Sequence, residues 1–384
     1  MNVLVINVGS TTLKFACLDT DSGERLREGT VDRIGQPDGD AEDHLQAAQA
    51  VMDQLDDLPI DAIGHRVVQG GDRFSAPTRV DDQVLEQLRP LDKIAPLHNP
   101  PARRVLEALV KRKSSLPHVL VFDTAYFTSL PAKAHRYAIA DSAYRKFGIR
   151  RYGAHGTSHQ YVTEQALRYL SQSRFGSHDQ TRLVSLHLGG GASATASVGG
   201  VAVETSMGLT PLEGLVMTSR CGDLDPAIPL LLIRQGGMSA DQVDHLLNEE
   251  SGLVGLCGKG DMREILKRHD QGDEAASLAI DIYVHRLLKY IGGYAAILGG
   301  LDALVFTAGV GEHARPIRRR VTESLGYLGI AIDETLNSEA KVDEEVIDLS
   351  SKEATAATLV VPTDEELAIA RQTASLLAGH RPAR

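Results

Sequence analysis

Two stretches of the chain share one pattern of apolar and polar positions. Leu183 to Leu188 is an apolar run that meets three glycines, Gly189, Gly190 and Gly191, and returns through small and β-branched residues to Val198. This is the pattern of a buried hairpin, and three residues without Cβ bare peptide N–H groups that can approach a phosphate chain closely. His187 adds a donor at the strand end; the alternative is an ordinary tight hairpin. Near the N-terminus Val3 to Val8, interrupted by Asn7, runs into Gly9 and returns from Leu13 to Cys17. The echo suggests two domains of one design, although outside the hairpins the two halves do not align.

Between and beyond the hairpins, helical spacing of Leu45, Ala48, Val51 and Leu55 predicts a surface helix over 41–55. Ile60 to Val68 reads as a strand, and Arg66 before the Gly70-Gly71 pair is either an ion-pair partner or an anion hook. Asn99 as cap and Pro100 at the first position predict the start of a basic helix through Leu106 and Leu109. Val119 to Phe122 is a continuous apolar strand that stops on Asp123, which is either a turn former or a site group at a strand's carboxyl end. Arg150, Arg151, His155 and His159 precede a helix through Val162, Ala166 and Leu170 and form a candidate anion-binding corner. Glu204–Pro226 is dense in Gly, Pro, Asp and Thr, as in a long functional loop, and Arg220 is the only cation between Thr205 and Leu232. The longest helix is expected over 273–298. Leu304 to His313 reads as strand, glycine turn and helix start, a natural cradle for a nucleotide, and 335–357 as loop-rich. At the end, Thr363 as cap with Glu366 three residues on forms a capping box, which leaves Glu365 available to face a metal.

Length and charge narrow the classes. A chain of 384 residues can build two full cores. A net charge of -11 argues against nucleic acid or an anionic membrane as the main partner, so an anionic substrate must be met by locally placed cations. Cys17, Cys221 and Cys257 show neither a disulfide framework nor zinc spacing. No signal peptide or membrane-spanning run is apparent, and the setting expected is cytoplasmic.

These segments in this order resemble the acetate kinase family of acyl kinases, over nearly the whole chain. The most specific blocks are Arg151-Tyr152-Gly153 and His155-Gly156-Thr157-Ser158-His159. The resemblance implies an α/β fold of the duplicated actin-like, hexokinase-like (ribonuclease H-like) type, with a nucleotide cleft between two domains, and a homodimer. The first domain would hold 1–127 plus 367–384, and the second 128–366. The implied reaction converts ATP and a short-chain carboxylate, acetate first, into ADP and an acyl phosphate, with Mg²⁺ and with Mn²⁺ as a substitute. By similarity Arg66 holds the carboxylate, Arg220 bridges it to the phosphoryl, Asp123 orients Arg66 or the metal's waters, and His155 stabilises the phosphoryl in flight. Val68, Leu97, Ala154 and Pro211 line the substrate pocket. Asn7 and Glu365 bind the metal. Ser10, Thr12 and Lys14 line the first phosphate turn, and His187, Leu188, Gly189, Gly190 and Gly191 face the phosphates. Asp261, Met262 and Arg263, with Gly309, Val310, Gly311, Glu312 and His313, hold the nucleoside.

Six positions depart from the family pattern: Gly190 and His313 stand for Asn, Gln69 and Phe127 for His, Cys221 for Ser and Ala154 for Phe. A ring missing at Ala154 predicts room for propionate or butyrate unless a neighbour fills it. Two rivals remain at this stage: a sugar kinase, which needs a carboxylate base for a neutral hydroxyl, and a catalytically silent nucleotide-binding scaffold.

Overall fold

The computed structural model describes residues 1–9, 11–95, 98–342 and 345–379, and the chain divides into two compact units. The first comprises Met1–Thr128, Ala154–Ser158 and the segment from Asp364 onward; the second comprises Ser129–Gly153 and His159–Thr363. The short piece 154–158, which the expected boundaries place in the second domain, belongs to the first. It is tied there because the Gly156 N–H donates to the Asp123 carbonyl and the Thr157 hydroxyl to the Asp123 carboxylate.

In the first unit, strands β1 (Asn2–Val8), β2 (Leu13–Asp19), β3 (Arg25–Val31), β4 (Ala62–Val67), β5 (Thr78–Arg79) and β6 (His118–Phe122) form one sheet in the order β3-β2-β1-β4-β6-β5. β1, β4 and β6 are parallel and the others antiparallel. One face is covered by helices His44–Gln54 and Asn99–Arg112, the other by helix Glu365–Leu377. Burial on both faces is why β6 reads as an unbroken apolar run.

The second unit repeats the plan. β7 (Arg182–Leu188), β8 (Ala192–Val198), β9 (Val201–Thr205), β10 (Ala303–Thr307), β11 (Ile347–Asp348) and β12 (Ala357–Val360) lie in the order β11-β12-β10-β7-β8-β9, which is the first sheet's order with each strand replaced by its counterpart. β7, β10 and β12 are the parallel strands here. The duplication that the sequence carries only in its two hairpins is complete at the level of topology. Among the described residues no helix is long and apolar enough to cross a membrane.

Three local expectations need correction. Helix His44–Gln54 buries the expected Ala48 and Val51, with Leu55 just beyond it, but adds Ala47 and Met52 to the inner face and leaves Leu45 exposed. Asn99 does not cap its helix: its amide group pairs with the backbone N–H and carbonyl of Gln69, and His98 is the cap residue. The polar stretch 335–357 contains most of helix Glu334–Glu339 and the edge strand β11, whose exposed side needs few apolar residues.

His65 on β4 and His118 on β6 are buried as a stacked pair, with Nε2 of one 2.9 Å from Nδ1 of the other. Burial, and for His65 its neighbour as well, holds both below the usual imidazole range. A base whose pKa is depressed by folding favours the folded state above its unfolded pKa, and that advantage is lost as pH falls. We therefore expect the melting temperature to fall as pH drops below about 6.5. The double variant His65→Gln/His118→Gln should show a shallower fall between pH 7.5 and 5.5; an unchanged slope in a thermal scan would refute this account.

Candidate active site

The carboxyl ends of β1, β4 and β6 bring Asn7, Arg66 and Asp123 together, as expected of a parallel sheet. Arg66 Nε donates to both Asp123 carboxylate oxygens at 3.1 Å, Nη2 donates to one of them at 2.5 Å, and Nη1 donates to Asn7 Oδ1 at 3.0 Å. Asp123 is 1 % exposed and also accepts from Thr157 Oγ1 at 3.1 Å. The two readings of Arg66 thus merge: it is an ion-pair partner, and among the described residues Nη1 and Nη2 each make one hydrogen bond, so each keeps a second N–H for a ligand. Burial opposes its charge, but Asp123 and Glu365 outweigh that and lift its pKa above the ordinary arginine value.

The cap of helix Glu365–Leu377 is Asp364, whose side chain accepts from the Leu367 N–H, and not Thr363. The Thr363 N–H donates instead to Glu312 Oε1, so the expected capping box does not form. Its main consequence survives, because Glu365 occupies the first turn and places its carboxylate 3.8 Å from Arg66 Nε. Burial pushes the Glu365 carboxyl up to about 7; Asp123 and Glu366 push the same way, while Arg66 and Lys14 oppose them. One guanidinium serves two carboxylates, Asp123 buried and Glu365 largely so, and the surplus negative charge is what a cation would relieve. The donors are a carboxylate and an amide oxygen, suited to a hard ion that keeps most of its waters. Among the described residues no group of three His, Cys, Asp or Glu side chains converges as a dehydrated metal cage would need.

His155 sits at φ 58°, a left-handed conformation uncommon outside glycine, immediately before helix Gly156–Gln172. Gly156 is required there, since a Cβ would stand 2.0 Å from the Asp123 carbonyl oxygen. The rest of the predicted anion corner does not hold. Arg151 is committed to Glu213 at 2.7 Å and to the carbonyls of Ser206 and Met207. His159 lies buried between Ser185 and Ser193, and burial, with His187 adding to it, holds its pKa well below the usual range. Ala154 is 3 % exposed, Val68 is half-buried and Thr12 and Lys14 are at least partly exposed, while Ser10 and Leu97 lie outside the described residues.

In the second unit the carboxyl ends of β7 and β10 lie side by side, with His187 opposite Thr307. The Gly189–Gly191 turn is closed by the Gly189 N–H donating to the Gly191 carbonyl at 3.0 Å, and Gly190 is exposed. β10 passes directly into helix Ala308–His313 through Ala308 at φ 61°, so a strained non-glycine residue stands where a glycine turn was expected. Glu312 Oε1 is spent on Ala308, Thr307 and Thr363, whereas Gly309 and His313 are exposed. Asp261 caps helix Met262–Asp270, and the Arg263 side chain, exposed, holds it well below the ordinary carboxylate range, at about 2; Met262 is buried. The side chain of Arg220, in the strand-free loop 206–226, donates to the Pro211 carbonyl at 3.3 Å and forms no ion pair among the described residues. Burial lowers its pKa, and the charge of Glu249 offsets only part of that.

A sequence profile described as the Acetokinase family matches residues 2–371. The chain belongs to the acetokinase family. Within the family it is 48% identical over 406 residues to the acetate kinase of Streptomyces griseus subsp. griseus, an alignment covering 99% of this chain and 97% of the relative. Among solved structures it is similar to the acetate kinase of Porphyromonas gingivalis, at 37% identity and TM-score 0.90, covering 98% of this chain and 99% of the other. It is as similar in fold to a propionate kinase from Francisella tularensis subsp. tularensis, at 36% identity and TM-score 0.90, covering 97% and 99%. This acetokinase-family chain is therefore a kinase, and its fold is the two-domain α/β fold of these enzymes. Sequence inspection missed one residue of its Arg66 cluster, Thr157, because nothing local signals that a helix's second residue will donate to a carboxylate 34 positions earlier.

Proposed function

We propose that this enzyme transfers the γ-phosphoryl group of ATP reversibly to acetate, by direct in-line displacement. The observation that carries the reading is the state of the two arginines: Arg66 is locked on Asp123 and donates once to Asn7, and Arg220 is a partly desolvated cation that forms no ion pair among the described residues, Glu249 offsetting its burial only in part. A guanidinium fork suits the planar carboxylate of the acceptor and the charge spread over the transferred phosphoryl's equatorial oxygens. The acceptor is already ionised: one of its oxygens bonds to phosphorus as the bond to the ADP oxygen breaks, and no proton moves. This fits Asp123, whose oxygens are occupied by Arg66 and Thr157, as an orienting group and not a base. A sugar kinase needs a carboxylate able to take a proton from a hydroxyl, so that rival loses its base.

Asn7 and Glu365 would hold Mg²⁺ through its waters, and the ion would supply charge neutralisation for the β- and γ-phosphates. Glu365→Ala should raise the Mg²⁺ concentration for half-maximal activity roughly tenfold or more, by analogy with the loss of ligand support. Glu366→Ala, measured in the same titration, should change it little; the opposite order would exchange their roles. His155, held in its unusual backbone conformation, would donate to the phosphoryl in transfer. The Gly189–Gly191 turn and helix Ala308–His313 would meet the nucleotide, with Asp261 and Arg263 at its nucleoside end.

Ala154 is 3 % exposed, so its methyl group is already covered, which supports acetate as the acceptor. Hydroxamate formation from ATP with acetate, propionate and butyrate tests both points. We expect acetate to be used best; propionate used equally well would show that the pocket opens. No turnover with any carboxylate would leave the silent scaffold as the better reading. Helix Ala227–Arg234 buries none of its residues and exposes Ile228, Leu230, Leu231 and Ile233, which supports a homodimer formed through this face in a cytoplasmic enzyme. Leu231→Glu should halve the mass seen by light scattering.

A further inference from the structure

We propose that Arg286 and Tyr290, one turn apart on helix Glu274–Leu298, are positioning residues that set the aim of Arg220. The inference rests on the role given above to Arg220. The loop that carries Arg220 is pinched at a neck: the Gly214 N–H donates to Asp223 Oδ1 at 3.0 Å, and the Asp223 N–H returns to the Gly214 carbonyl at 3.0 Å. Both sides of the neck are gripped by the helix. The Tyr290 hydroxyl lies 3.0 Å from each Asp223 carboxylate oxygen. Arg286 Nη1 donates to the Gly214 carbonyl at 2.7 Å and Nη2 to the Asp223 carbonyl at 3.2 Å, with its guanidinium 3.6 Å from the Asp223 carboxylate. Positions i and i+4 share a helix face, which is how one rigid element reaches both strands of the neck. Burial, and then the Asp223 charge, push the Tyr290 pKa well above its usual value, so the hydroxyl stays protonated and donates.

Within the pinched segment the backbone around Arg220 is tied at short intervals. The Met217 N–H donates to the Arg220 carbonyl at 3.2 Å, the Thr218 N–H to the Gly190 carbonyl at 3.1 Å and the Cys221 N–H to the Leu247 carbonyl at 3.1 Å. Gly222 sits at φ 69°, and a Cβ there would meet the Leu215 carbonyl oxygen at 2.3 Å. Among the described residues the Arg220 guanidinium makes one hydrogen bond, to the Pro211 carbonyl, and no ion pair. Its direction is therefore inherited from the backbone, which the neck held by Arg286 and Tyr290 anchors together with these ties. Among the described residues neither Arg286 nor Tyr290 hydrogen-bonds to the Arg220 side chain, so both act through position. A displacement of about 1 Å at a reacting group can cost roughly 100-fold in rate.

The test is a double-mutant cycle on kcat, with Tyr290→Phe and Arg286→Met each made in the parent enzyme and in Arg220→Lys, which retains the charge and measurable turnover. Tyr290→Phe removes one oxygen and leaves the ring in its edge contact with Tyr294, so folding is kept. In the parent we expect each change to lower kcat roughly tenfold or more, with KM for ATP and acetate moved less than about threefold. In the Arg220→Lys background the same changes should cost little further. Unchanged kcat in Tyr290→Phe, or equal losses in both backgrounds, would overturn the clamp while leaving Arg220 its role. Normal turnover by Arg220→Lys would overturn that role and the clamp with it.

Discussion

Arg220→Ala will lower kcat roughly 1000-fold or more while leaving the enzyme folded. An arginine that meets the charge of a phosphoryl in transfer is worth about 10³–10⁵ in rate. The structural side of the change is small. The side chain has one hydrogen bond, to the Pro211 carbonyl, and no ion pair among the described residues. Its charge is held in a place where burial already works against it. Removing it costs about one ordinary hydrogen bond, some 1 kcal/mol, and relieves a desolvated cation. Steady-state kinetics with acetate beside a thermal melt separates the two effects. A melting temperature that falls steeply would mean that Arg220 is a structural residue, and unchanged kcat would mean that the phosphoryl does not depend on it.

Arg66→Ala is expected to behave differently, because it loses both activity and stability. Its guanidinium is the partner of Asp123, which is 1 % exposed, and lies 3.8 Å from Glu365, itself pushed towards protonation by burial. Breaking a buried ion pair from one side costs about 3–5 kcal/mol, since the remaining charge has no solvent. Loss of activity in the alanine variant would therefore prove little. Arg66→Lys is the informative change: it restores a cation beside Asp123 but not the planar fork, so most of the stability should return. The carboxylate still loses charge-assisted hydrogen bonds worth about 1.5–3 kcal/mol, or roughly 10- to 100-fold in kcat/KM for acetate. Chemical denaturation and kinetics on the same preparations decide the matter. Full activity in Arg66→Lys would show that only the charge is needed and that the uncommitted N–H groups bind nothing.

These expectations bear on what can be read from a chain. The apolar run ending on Asp123 was visible as a strand, because a parallel strand buried on both faces must be apolar throughout and must change character where it leaves the sheet; the strands that carry Asn7 and Arg66 showed as apolar runs that polar residues interrupt. The two hairpins and the long helix were visible for the same kind of reason, since hydrophobic period and glycine turns are local properties. Capping was less legible. Asn99 and Thr363 have the right side chains at the right offsets, but tertiary partners took them: the Gln69 backbone took the Asn99 amide, Asp364 took over the cap, and Glu312 took the Thr363 N–H. The sequence by itself determined which residues could end strands, turn without a Cβ and carry charge. Only the tertiary structure decided which charges are spent. Arg151 and Arg220 look alike in the chain; one is tied to Glu213 and the other is left with a carbonyl, and that difference depends on where distant segments bring their carboxylates. Burial likewise sets the proton affinity of Glu365, because the cost of a charge depends on the water it has lost and on the neighbours it has gained, neither of which is written at its own position.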